Sequence, residues 1–210
     1  MFKTEQEKFW AEQFGDEYID RNSNDEVAAA NLSFWSRILS KIDSVDSCVE
    51  LGSNIGNNIR AIRALSPGAY LEAIEINERA VKELANWFSK AGGGSVQHAS
   101  IIDWKPVEKF DLAFTKGVLI HISPDHLQTV YENLFQSSKK YIVVAEYYNP
   151  VPVSVSYRGH SEKLFKRDFA GEMLDLYPSL QLVDYGFVYH RDPAFPADYI
   201  SWFILEKKPA

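Results

Sequence analysis

The sequence predicts an α/β fold: a mainly parallel sheet of seven strands with an antiparallel C-terminal strand, preceded by N-terminal helices. Three observations predict it. Short apolar runs alternate with helix-period segments from residue 47 to residue 176, and such alternation implies right-handed βαβ crossovers and a parallel sheet. The first run ends in a glycine-rich turn. The last two runs have no helix between them, so they pair antiparallel or sit apart, which predicts an antiparallel edge on the sheet.

Composition bounds the rest. A chain of 210 residues, 46% hydrophobic and 24% charged, has the make-up of a globular protein with a proper core. Against 22 Lys and Arg stand 29 Asp and Glu, a net charge of −7. Such a chain lacks the basic footprint of a nucleic-acid or anionic-membrane binder. Cys48 is the single cysteine, which excludes an internal disulfide and a multi-cysteine zinc site; no metal is expected. The charged opening and the lack of an apolar run of about 20 residues predict a soluble cytoplasmic protein. Aromatic residues reach 14% and crowd both termini and the segment 141–157.

Phe9, Trp10, Phe14, Tyr18 and Ile19 recur at helical spacing within residues 4–20, with Gly15 as the expected interruption. A second helix starts at an Asn24 or Asp25 cap and runs to about Ser40. Ser47–Leu51 reads as the first strand and Gly52–Gly56 as its turn, followed by a helix over Asn57–Leu65 that Ser66, Pro67 and Gly68 stop. Tyr70–Ile76 is a strand, Glu78–Lys90 a helix ended by three glycines, and Ser95–His98 and Phe110–Thr115 are two more strands. A helix opens at Ser123-Pro124, with proline in its first turn. The β-prone run Tyr141–Glu146 is followed by a proline-broken loop over 150–160 and a helix over Ser161–Leu176. Leu180–Tyr189 and Tyr199–Lys207 close the chain around a proline-rich loop. Residues 1–44 are expected to form a helical cap and 45–210 the α/β domain.

Ligands of such sheets sit beyond the carboxyl ends of the strands, at the switch point. That rule selects Gly52–Gly56, Glu75, Ser100–Asp103, Lys116–His121 and Glu146–Tyr148. The turn departs from the dinucleotide pattern G-x-G-x-x-G and lacks the G-K-[ST] of a phosphate loop. Glu50, just before it, repels a pyrophosphate but favours a cofactor carrying an ammonium and a sulfonium. Glu75 lies 25 residues further on, about where a carboxylate accepts both ribose hydroxyls. Acid, glycine turn and second acid point to S-adenosylmethionine (SAM).

Glu50-Leu-Gly52-Ser-Asn-Ile-Gly56, Glu75-Ile-Asn and Phe110-Asp-Leu-Ala-Phe-Thr-Lys-Gly-Val-Leu-Ile-His121-Ile resemble the ordered motifs of class I SAM-dependent methyltransferases over residues 45–207, and so imply their Rossmann-like sheet. The opening Thr4–Asn22 resembles, more narrowly, methylases found with pseudaminic acid biosynthesis. The resemblance implies that Gly52, Ser53, Asn54 and Gly56 shape the methionine-side loop, with Glu50 near the amino group. It implies that Glu75 holds the ribose, that Ile76 packs on adenine, and that Lys116 lies below the methionine portion. Ser100-Ile101 falls where many relatives carry an acid for the adenine amine; there the Ser100 side chain or the Ile101 backbone would have to substitute. Trp10, Phe14 and Tyr18 are either a lid over the cofactor or a plain packing helix.

For the chemistry, His121 or Glu146 is the expected base toward the acceptor. Tyr147, Tyr157, Arg158 and His160 are the expected acceptor contacts, with Arg158 pairing a carboxylate. The acceptor is expected to be a small molecule, a nonulosonic acid or related sugar by resemblance alone. Two rivals stay open: an NAD-dependent sugar-modifying enzyme, and a non-catalytic scaffold or sensor of the same fold.

Overall fold

The computed structural model describes residues 2–208. Seven strands form one sheet in the order β3-β2-β1-β4-β5-β9-β8, and a separate hairpin pairs β6 with β7. β1 (Ser47–Leu51), β2 (Tyr70–Glu75), β3 (Gly94–His98), β4 (Phe110–Lys116) and β5 (Ser138–Glu146) all run parallel. β9 (Ile200–Lys207) is antiparallel to β5 and to β8 (Leu180–Val188). The reversed strand therefore lies one position in from the edge, and the edge strand β8 runs with the others. The expectation of an antiparallel edge is corrected by one place: β8 crosses over first, and β9 folds back into the gap it leaves beside β5.

Alternation along each strand divides the core into two faces. Ala113, Ile142 and Val144 pack with α6 (Pro124–Ser137) and α7 (Phe169–Leu176) on one face. Leu112, Phe114 and Val143 pack on the other with Trp35 and Ile38 of α3 (Asp25–Leu39), Ile59 of α4 (Asn57–Leu65) and Leu84 of α5 (Glu78–Ala91). Trp35 is fully buried, and its indole donates to Asn58 Oδ1 at 3.0 Å. Among the described residues no helix is long and apolar enough to cross a membrane.

The N-terminal aromatic segment forms two helices, α1 (Glu5–Ala11) and α2 (Gln13–Arg21). The break falls at Glu12, whose backbone is extended (φ −107°, ψ −152°), and Gly15 lies inside α2. Gly15 serves close packing: a Cβ there collides with the Trp10 carbonyl. Thr4 and Glu7 form a reciprocal capping box at the start of α1.

The segment after β5 departs from expectation more. In place of a loop to 160 and a helix from 161, β6 (Val153–Tyr157) and β7 (His160–Lys166) form a hairpin, and α7 begins only at Phe169. Its turn uses Arg158 (φ 49°) and Gly159 (φ 84°), the positive-φ pair that two-residue hairpins favour. Val153-Ser-Val-Ser-Tyr157 carries a period-two pattern that the flanking prolines Pro150 and Pro152 obscure.

A candidate cofactor and acceptor cavity

β1 and β4 are neighbours whose chains leave toward opposite sides of the sheet, and beyond their carboxyl ends lies a cavity of about 500 Å³. Its floor is the turn after β1. Gly52 and Gly56 (both φ 79°) and Asn54 (φ 47°) take left-handed backbone there. The floor is also tight: a Cβ on Gly52 stands 2.7 Å from Val118 Cγ2, and one on Gly56 stands 2.5 Å from Leu84 Cδ1.

Every backbone N–H of this turn is already spent. Gly52 and Ser53 donate to the Ile74 carbonyl (2.8 and 3.1 Å), and Gly56 donates to the Ser53 carbonyl (2.9 Å). Asn54 donates to Glu75 Oε2 at 2.6 Å and Ile55 to Asn54 Oδ1 at 2.9 Å. A phosphate cradle needs free N–H groups aimed at the anion. This turn offers none, and a carboxylate occupies one of them.

Glu75 lines the cavity and is 6% exposed. Its Oε1 accepts from Asn77 N at 2.7 Å. Burial pushes its carboxyl above the ordinary carboxylate range against the pull of the Asn77, Asn54 and Ile76 N–H groups. An ionised carboxylate has about four acceptor sites, so capacity remains for a pair of vicinal hydroxyls. Ile76 and Ile101 flank it in the wall.

Glu50, Gly56 and Glu146 do not line the cavity; each sits behind its wall. Glu50 Oε1 accepts from Asn58 Nδ2 at 2.6 Å, while the buried Oε2 has no partner. Burial pushes the Glu50 carboxyl up to about 8, opposed by the Asn58 hydrogen bond and the Lys116 charge. Lys116 lines the cavity and donates to Asn31 Oδ1 at 2.9 Å; burial lowers it while Glu50, Asp198 and Glu146 raise it. Ser53 Oγ, in the lining, is likewise buried without a partner. Two orphaned polar atoms beside the turn fit a ligand with its own polar groups.

Ser100 has a carboxylate beside it, supplied by another element. Ser100 Oγ donates to Glu7 Oε1 of α1, and Glu7, 6% exposed, lines the cavity beside it. The capping-box spacing Thr4-x-x-Glu7 was the one sequence signal for a fixed carboxylate there. Asn77 secures the N-terminal helices over this end, donating to Asp16 Oδ1 at 3.0 Å and to the Trp10 carbonyl at 3.4 Å. Trp10 and Tyr18 are both in the lining, edge to face at 5.2 Å.

At the other end stand His121, Tyr147 and Tyr157. His121 ends a short 3-10 turn, Leu119–His121, and packs on Trp10 (4.6 Å between ring centres) and Tyr157 (4.9 Å). Its Nδ1 lies 2.6 Å from the Lys163 carbonyl of β7. A carbonyl only accepts, so Nδ1 carries the proton and Nε2 is left as an acceptor. Burial pushes the imidazole down to about 4 against that carbonyl's pull.

Glu146 holds this turn in place and does not line the cavity. Its Oε1 accepts from Val118 N (3.1 Å), Leu119 N (3.0 Å) and Thr115 Oγ1 (3.3 Å), and its Oε2 from Ile120 N (3.4 Å). Burial still pushes it up to about 7. Arg158 is exposed at the hairpin tip, and His160 packs on Phe9 at 5.0 Å; neither lines the cavity. Asp198 and His190, from the loop between β8 and β9, do line it, and no sequence motif had marked them.

No protein-family model matches the chain, and no curated protein matches it. Solved structures do. A Burkholderia thailandensis 1,6-didemethyltoxoflavin-N1-methyltransferase with bound 1,6-didemethyltoxoflavin and S-adenosylhomocysteine (SAH) aligns with a TM-score of 0.69 at 16% identity, over 93% of this chain and 86% of that one. An O-methyltransferase of a Brevibacillus brevis trans-AT PKS multienzyme in complex with SAH aligns at 0.67 and 11% identity, over 100% and 82%. The N-methyltransferase NodS of Bradyrhizobium japonicum, in complex with SAH, aligns at 0.65 and 15% identity, over 92% and 98%. The chain has the Rossmann-like α/β fold of SAM-dependent methyltransferases.

Proposed function

We propose that the protein is a SAM-dependent methyltransferase that moves a methyl group to oxygen or nitrogen of a small molecule. One observation carries the choice of cofactor: the turn at the switch point has no free N–H for a phosphate and has Glu75 bound to its backbone. A dinucleotide pyrophosphate meets carboxylates there, whereas a cationic nucleoside gains from them.

Glu75 accepts the ribose hydroxyls, Glu7 with Ser100 accepts the adenine amine, and Ile76 and Ile101 pack on the ring. Glu50, through its free oxygen, and Lys116 set the charge under the methionine end, and Ser53 supplies a hydroxyl beside it. When bound, the cofactor supplies a methyl group already activated by its sulfonium. The remaining task of the chain is alignment, an effect that contributes roughly 7–11 kcal/mol in well-oriented reactions. Trp10, Tyr18, Tyr147 and Tyr157 enclose the acceptor and exclude water. His121 Nε2 accepts a hydrogen bond or proton from the attacking group, and Glu146 fixes the turn that presents it.

The nonulosonic acid implied by the N-terminal resemblance needs a cation for its carboxylate, and Arg158 lies outside the lining. The acceptor is therefore a small molecule whose charge is set by other groups.

Isothermal titration of SAH and of NAD into the protein tests the assignment. SAH binds at micromolar concentration and NAD does not, and Glu75→Ala weakens SAH at least tenfold, about 1.4 kcal/mol. NAD binding without SAH binding overturns it. SAH binding without turnover on any cell extract favours the scaffold.

A further inference from the structure

The cavity beyond His121 is lined by the rings of Trp10, Tyr18, Tyr147 and Tyr157, with the exposed Asp198 carboxylate at its rim. The group is compact: Trp10 stands 4.6 Å from His121 and 6.5 Å from Tyr157. Burial raises the Tyr147 phenol first, and the adjacent Asp198 carboxylate raises it further. After burial, Tyr157 and the same carboxylate raise Tyr18 as well, against the nearby Arg21 and Arg158 charges.

Charge in this space is lopsided. Among the described residues that line the cavity, Glu7, Glu75 and Asp198 are carboxylates and Lys116 is the sole Lys or Arg. Lys116 is held by Asn31, packs over Phe34 at 5.3 Å and faces Glu50 behind the wall. Arg21 lies outside the lining, over Phe14 and Tyr18, 3.8 Å from Glu17. Arg158 is outside it too, as is Lys166, whose ammonium lies over the Tyr147 ring at 5.3 Å. His121 is held neutral by burial. His190, at the exposed rim, meets the Tyr199 hydroxyl at 3.2 Å.

We propose that the methyl acceptor is an amine on an aromatic or alkyl body, held as its ammonium ion between the aromatic faces and Asp198, so that the reaction is N-methylation. This rests on the methyltransferase reading above. Aromatic faces attract cations through their quadrupole, more strongly where water is excluded. A carboxylated acceptor meets Asp198, and the one Lys or Arg of the lining, Lys116, is already held by Asn31; a hydroxyl acceptor gains nothing from the charge. The bound ammonium sheds one proton past Asp198 to water at the exposed rim. The freed lone pair forms the C–N bond while the C–S bond breaks, and the electron pair of that bond stays on the sulfur of SAH. His121 Nε2 accepts a hydrogen bond from the remaining N–H and so orients the lone pair.

Three near-isosteric probes separate the charge classes: phenethylamine, 2-phenylethanol and phenylacetate. Each is titrated by calorimetry at neutral pH into the full chain, with and without saturating SAH. Phenethylamine binds at least tenfold tighter than either of the others. Asp198→Asn reduces that preference below threefold while SAH affinity stays within twofold, with circular dichroism confirming the fold. Equal or tighter binding of the alcohol or acid, no amine binding at millimolar concentration, or an undiminished preference in Asp198→Asn overturns the proposal. The preference is also read without SAH. A chain that prefers the amine yet ignores SAH refutes the cofactor assignment alone, and one that binds SAH without the preference refutes this inference alone.

Discussion

Glu50 is the residue through which pH acts on the cofactor end. Its carboxyl is pushed up to about 8 by burial, so it is largely neutral at pH 6 and ionised above pH 8. A ligand carrying an ammonium binds the ionised form, and affinity therefore rises with pH across that window. Titration of SAH at pH 6, 7 and 8 is expected to show a gain of at least about tenfold, since the ionised fraction of a carboxyl near 8 rises from about one hundredth to about one half over those two units. Glu50→Gln removes the ionisation, lowers the pH 8 affinity and leaves a flatter profile. An unchanged slope in that variant assigns the titration to Glu75, which burial shifts in the same direction. Both acids were legible in the sequence because Glu50 stands just before the glycine turn and Glu75 ends β2, where local order alone places them. Glu7 was not, because its contact with Ser100 spans 93 residues. Asp198 was not, because nothing local distinguishes an acid in a proline-rich loop that crosses a cavity mouth.

Most helices and strands were legible to within a few residues, since period and caps are written locally. Asn24 caps α3 through Val27 N at 2.9 Å, and Pro124 opens α6. The β6–β7 hairpin was not legible, although it matters for the site: it brings Tyr157 onto His121 and supplies the Lys163 carbonyl that fixes the imidazole tautomer. Its proline flanks outweighed its alternation, and the helix after it then absorbed β7. Gly15 was misread for a related reason, since a glycine within a helical pattern marks either a break or a close approach. The structure assigns the second, and the two meanings predict opposite signs for Gly15→Ala. A break or ordinary helical glycine gains up to about 1 kcal/mol from alanine. At a site where the new Cβ meets the Trp10 carbonyl, overpacking costs about 1–3 kcal/mol. The collision is with backbone, which cannot rotate away, so the cost wins. The melting temperature is expected to fall by about 2–12 °C, and a rise contradicts the packing of α2 on α1.

At the scale of the molecule, strand–helix alternation made the sheet and its switch point legible. It did not decide which of the last two strands takes the edge, because pairing by hairpin is satisfied with β9 on either side of β8. The division of labour among the helices is likewise a tertiary fact. α3 buries Trp35 and Ile38 in the core against the sheet while its Val27, Ala30, Asn31 and Phe34 line the cavity, so the piece that covers the cavity from outside the sheet core is α1 with α2, ending near Arg21. That piece is held to the rest at a few points, among them Asn77 to Asp16 and Arg79 to Asp20 at 2.5 Å, while its Glu7, Trp10 and Tyr18 face the cavity. A ligand that bridges the cavity wall and this cover stabilises the cover more than the body. SAH at a hundred times its dissociation constant adds about 2.7 kcal/mol to the folded state, which for a chain of this size raises the melting temperature by about 5–11 °C. Cleavage by trypsin after Arg21 requires local opening of the cover. SAH is therefore expected to slow that cut at least fivefold while cleavage after Arg191, in the exposed loop between β8 and β9, slows by much less. Equal protection at both sites places the ligand's stabilisation in the body alone and removes α1 and α2 from the cofactor site.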